Sequence, residues 1–170
     1  MVKKIVWGCV FILAAALLQS TAFVRLTAYV RAVPDLALCI LVYIAYVNGI
    51  MTGQLTGFFS GLLIDFLSAA PLGLNALTRT IVAAATGLLK DTFILDILFL
   101  PIILCAGATI LKALLFFLLH IIFPEAVPSY AFYNLTFWIE LGMNSLLAPF
   151  VFALLKLFRP LRPSQKENIP

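Results

Sequence analysis

The sequence predicts an all-α integral membrane protein with six transmembrane helices, and three observations carry that expectation. Hydrophobic residues make up 64% of the 170 residues and charged ones 11%, whereas soluble domains are about a quarter charged. The apolar runs approach the ~20 residues that cross a bilayer core at 1.5 Å per residue. Prolines, an Asn-Gly pair and small charge clusters fall between those runs, where turns belong.

Helix one is expected over residues 5–24, a charge-free run behind Lys3 and Lys4. A basic start, an apolar stretch and Ser20-Thr21-Ala22 also resemble a cleavable leader, but retention as a span is the reading adopted. Residues 25–33 form an external connection. Helix two covers 34–47, with Pro34 in a first turn where its missing N–H is no loss. Asn48-Gly49 reverses the chain, because one helix from 34 to 68 would overshoot any bilayer.

Helix three spans 50–68 and helix four 71–89, with Pro71 again in a first-turn position. Lys90, Asp91 and Asp96 mark an aqueous crossing. Helix five runs over 97–121, with Pro101 in its first turns, and FPEAVPSY (123–130) makes an external turn ending in an interfacial Tyr130. Helix six covers 131–158 and carries Pro149, a point of bending. These spans form one domain, 1–158. The basic tail, 159–170, is expected to be disordered and cytoplasmic.

With six spans both termini share a side. That side holds Lys3, Lys4, Lys90, Lys156, Arg159, Arg162 and Lys166, against Arg25, Arg31 and Arg79 opposite. The excess of basic residues places the termini in the cytoplasm. The same topology explains the formal charge of +4 without nucleic acid as a partner.

Within the third span a small residue returns every fourth position, at Gly53, Gly57 and Gly61, with Thr56 and Ser60 on the flanks. Such a row lets a second backbone approach closely. It is expected to pack helices, inside the chain or against a partner. Asp65 closes the row, and an ionised Asp in hydrocarbon needs a partner. Either Arg79, at the same outer end of helix four and with Asn75 nearby, is that partner, or Asp65 reaches the interface or is protonated. Lys112 and Glu140 lie at similar depth on adjacent antiparallel helices, so they too are expected to pair.

Catalysis, cofactors and metals are not expected. Cys9, Cys39 and Cys105 lie in apolar runs without ligand spacing. His120 is read as an interfacial side chain. Asp35, Asp91 and Asp96 lie near membrane boundaries, which argues against a second acid for an aspartyl protease. The glycine row has no counterpart in the second half, which argues against an inverted-repeat transporter.

The patterns LLQST (17–21), PDLAL (34–38) and GQLTGFFSGLLIDFLSAAPLGLNAL (53–77) occur in order before a basic tail. With them the chain resembles the rod shape-determining MreD family of the bacterial inner membrane. The resemblance implies a non-enzymatic scaffold of the cell-elongation machinery, acting with MreC, MreB, RodA and the elongation transpeptidase. With MreC as a partner, its membrane anchor is the candidate to occupy the glycine row, the other reading being that the row packs inside the chain. It also implies a helical architecture like the substrate-binding subunits of energy-coupling-factor transporters. From that likeness comes the alternative, a vitamin or ion transport subunit with Asp65, Arg79 and Asn75 as ligands in an external pocket bounded by helices and the 25–33 loop.

Overall fold

A computed structural model describes residues 1–22, 32–68, 70–90, 98–128 and 134–158. These form an all-helical bundle: α1 (Val2–Ala22), α2 (Leu36–Asn48), α3 (Ile50–Leu67), α4 (Leu74–Leu88), α5 (Phe99–Ile122) and α6 (Leu135–Leu157). Most of the expected 25–33 connection, Asp91, Asp96, Tyr130 and the 159–170 tail lie outside the described residues.

Four helices, α1, α3, α5 and α6, are long and apolar enough to cross a membrane. The other two are shorter than the expected spans. α2 has 13 residues and α4 has 15, so at 1.5 Å per residue each covers only about 20–23 Å of a ~30 Å core. In place of six full-length spans, the described residues form four long helices and two short ones.

Of the two short helices, α2 is the inner one. α2 is buried from Ala37 to Ala45 without interruption, and among the described residues it touches all five other helices. A helix apolar all round is a helix enclosed on all sides. Its core partners include Ile12 of α1, Val82 and Ala83 of α4, Leu104 and Cys105 of α5, and Phe152 of α6. Tyr43 stacks edge-on against Phe152 with ring centroids 5.1 Å apart.

Pro34 and Pro71 do not enter first turns. α2 begins after Asp35, which serves as its N-cap, and Gly73, with φ +95°, precedes α4. Asn48-Gly49 does reverse the chain, Gly49 having φ +85°. α6 runs through Pro149 as one helix.

Lys4 Nζ donates to Asn48 Oδ1 at 2.6 Å, and the Lys90 stem lies over Gly49, so these residues share one end of the bundle. Gln19, Pro34, Asp65 and Gly73 lie at the other. His120, beside its loop as expected, meets the Val127 carbonyl through Nδ1 at 2.7 Å.

The glycine row packs inside the chain. A Cβ at Gly57 would stand 2.7 Å from the Arg79 carbonyl oxygen, and one at Gly61 2.5 Å from that of Asn75. At Gly53 it would meet Ala45 of α2 at 2.7 Å and the Ala83 carbonyl of α4 at 3.2 Å. Gly87 returns the contact, since its Cβ would reach Ile50 Cα at 2.7 Å. α4 therefore occupies the groove proposed for MreC's anchor, because glycines let two backbones meet where lipid supplies no hydrophobic drive.

Thr56 and Ser60 are also buried. Thr56 packs on Gly8 of α1, whose Cβ would come within 2.8 Å of its methyl. The hydroxyls bond back to their own helix, Thr56 to the Thr52 carbonyl and Ser60 to that of Gly57. That spares them any need for an external partner.

Candidate functional site: two helix starts and an ion network

The polar residues at the end of the bundle away from Lys4 and Lys90 gather around the first turns of α2 and α4. A helix start leaves four N–H groups without intrahelical acceptors, and away from water each needs a substitute. The start of α2 is enclosed, since Ala32 and Pro34 before it are buried. All four of its donors are satisfied. Leu36 N donates to the Pro34 carbonyl at 3.1 Å and Asp35 N to Asn144 Oδ1 at 2.7 Å. Leu38 N donates to Asp35 Oδ1 at 2.9 Å and Ala37 N to Gln19 Oε1 at 3.3 Å. Gln19 Nε2 also donates to the Pro34 carbonyl. LLQST and PDLAL, distant in sequence, thus meet as one joint.

Asp35 is the centre of this joint. Its Oδ2 receives Lys112 Nζ at 2.7 Å and its Oδ1 receives Arg79 Nη2 at 3.4 Å. Lys112 Nζ also reaches Glu140 Oε1 at 2.8 Å. Two cations thus face two carboxylates, and the formal charge of the group is zero. The backbone N–H of Asp35 donates to Asn144 Oδ1 at 2.7 Å, and Asn144 Nδ2 donates to Thr109 Oγ1 at 3.1 Å. One connected network therefore ties α1, α2, α4, α5 and α6 together.

The Lys112–Glu140 contact is present where depth on antiparallel helices places it. Asp35 is its third member, and boundary position alone did not reveal it. The available signal was Asp directly before an apolar run, a helix N-cap pattern.

Asp65 does not pair with Arg79. Its Oδ2 accepts from Gly73 N at 3.0 Å and Ala76 N at 3.1 Å, and its Oδ1 accepts from Asn75 N at 3.0 Å and Asn75 Nδ2 at 2.9 Å. The carboxylate of α3 caps α4 across the loop. Gly73 offers α4 no capping side chain, so its positive end draws the nearest anion. Asp65 is filled by that duty, and Arg79 turns to Asp35.

These positions bear on the carrier alternative. A cavity beside the network is lined by Asp35, Leu38, Asn75, Thr78, Arg79, Val82 and Lys112, and it measures about 10 Å³ for the centre of a water molecule. It has room for about one water, and most of the 25–33 loop expected to bound an external pocket lies outside the described residues. Among the described residues no group of three or more His, Cys, Asp or Glu has metal-binding geometry.

No curated protein and no solved structure matches the chain, so the likeness to energy-coupling-factor subunits gains no support there. The family model described as rod shape-determining protein MreD matches residues 1–158, which contain both helix-start joints and the whole ion network. The chain belongs to the MreD family of rod shape-determining proteins.

Proposed function

We propose that the protein is a non-enzymatic scaffold of the bacterial cell-elongation machinery, supporting rod shape and lateral peptidoglycan synthesis from within the cytoplasmic membrane. It crosses that membrane six times, with both termini in the cytoplasm. It acts through intramembrane contact with MreC, and with MreB, RodA and the elongation transpeptidase as further partners.

The observation that carries this reading is how the polar groups are used in a chain of this family. Asp35, Asp65, Arg79, Lys112 and Glu140 bond to one another or to backbone. They stiffen the bundle and present no acid–base pair to a substrate. The surface left over is apolar and faces lipid. Lys3, Lys4, Lys90 and Lys156 favour a cytoplasmic placement of the N-terminal end.

With the glycine row occupied, MreC's anchoring helix needs another surface. The groove between α1 and α3 suits it: lined by Val6, Val10, Leu13, Leu55, Phe59 and Leu63, it is open on one side with a volume of about 530 Å³, and Val10 and Phe59 are about half exposed. Side-chain ridges of a partner helix pack into such a furrow.

A photoreactive residue at Val10 or Phe59 should crosslink MreC in cells, and one at Ile110 or Leu114 on α5 should not. Depletion should turn rods into spheres while nutrient uptake continues. Rods that persist while a vitamin or ion is no longer taken up would overturn the scaffold reading.

A further inference from the structure

Arg79 has more donors than the ion network uses. Its Nη2 reaches Asp35, but Nε and Nη1 are buried and meet no acceptor among the described residues. The whole residue is only 7% exposed. A guanidinium carries five N–H donors in a fixed plane, and buried donors are almost always satisfied by protein or by ordered water. The same side chain lines the 10 Å³ cavity, together with Asp35, Asn75, Thr78 and Lys112.

We propose that this cavity is a binding site for one internal water molecule, held by Arg79 and by the acceptors of Asn75 and Thr78, and that it excludes small anions. Size is the first reason, since the space equals that of about one water. Charge is the second. Asp35 and Glu140 already balance Arg79 and Lys112, so a further anion would leave the group negative in a low-dielectric setting.

Donor chemistry is the third. Asp65 accepts four hydrogen bonds, one of them from Asn75 Nδ2, so that amide turns its nitrogen to Asp65 and keeps Oδ1 as an acceptor. Thr78 Oγ1 donates to the Leu74 carbonyl at 2.8 Å, and its oxygen likewise remains able to accept. Arg79 supplies donors and Asp35 a further acceptor. A water can donate and accept at once, whereas an anion would face three acceptor oxygens. The water links the α4 side of the bundle to the cap of α2, where Arg79 alone makes one long contact.

Hydroxyl-radical footprinting in native membranes tests this, because radicals form at bound waters and label the side chains beside them. Leu38 and Val82 line the cavity and are 2% and 1% exposed, while Leu41 and Ile44 are fully buried away from it. Labelling of Leu38 and Val82 should exceed that of Leu41 and Ile44 several-fold, and Arg79→Met should remove the excess. Equal labelling at all four positions would overturn the proposal. A crystal structure grown in bromide distinguishes the ligands: a solvent peak without anomalous signal is expected, and a bromine signal at Arg79 would replace the water with an anion.

Discussion

One methyl group added at Gly61 tests the packing of α3 on α4 and the cap at the same time. The new Cβ would lie 2.5 Å from the Asn75 carbonyl oxygen, 2.6 Å from Ala76 Cα and 2.7 Å from Ala76 N, where ordinary contact begins at 3.4 Å. All three atoms are backbone and cannot swing aside, so α4 must retreat by about 0.9 Å, the difference between 3.4 and 2.5 Å. The retreat falls on Asp65's bonds to Asn75 N and Ala76 N, now 3.0 and 3.1 Å, and would stretch them beyond useful length. Overpacking of this kind costs about 1–3 kcal/mol, which for a chain of this size lowers Tm by roughly 2–12 °C.

The control is the same substitution where nothing stands in the way. Cβ atoms at Gly107 and Gly142 would meet nothing within 4 Å, so Gly107→Ala and Gly142→Ala should be neutral or stabilise by up to about 1 kcal/mol through helix propensity. Thermal unfolding of purified protein in detergent reads all three. A Gly61→Ala variant that melts with the wild type, or a control that melts as low as Gly61→Ala, would refute the close approach of the two backbones.

Asp35→Asn removes the carboxylate that Arg79 meets and one of the two that Lys112 meets, and should cost about 3–5 kcal/mol. Glu140→Gln, which leaves Lys112 with Asp35, should cost less, and the order of the two melting temperatures checks this. Lys112→Met takes the ammonium from Glu140 and leaves Asp35 with Arg79, so adding Glu140→Leu should recover part of the loss, and a double-mutant cycle measures the coupling. Asp65→Ala deletes the acceptor of four donors and should cost several kcal/mol, each orphaned buried N–H contributing about 1–3. Faster proteolysis of the segment around Gly73 would show α4 fraying from its start. Asn144→Leu should destabilise by about 1–3 kcal/mol by orphaning the Asp35 N–H, measured by the same melt.

The helices were legible because hydrophobicity along the chain marks them, and their ends were not. Pro34 read as a first-turn residue, yet α2 starts after Asp35 because the carboxylate satisfies Leu38 N and the chain before it is enclosed. Lys112 and Glu140 could be matched by depth. Asp65 and Arg79 also matched in depth and still chose other partners. The open N–H groups of α4 offered Asp65 several donors at once, and Asp35 stood within reach of Arg79.

The sequence alone determined the membrane class, the order of six helices, the small-residue face of α3 and the motifs of the MreD family. The first three are properties of composition or of spacing along the chain, and the last is a resemblance of motifs. Tertiary structure alone decided that α4 fills that face, that LLQST meets PDLAL through Gln19, and that Asp35 rather than Asp65 receives Arg79. Those outcomes depend on how helices rotate about their axes and on which backbone donors remain open at the starts of the two short helices, and neither is written in the depth of a residue.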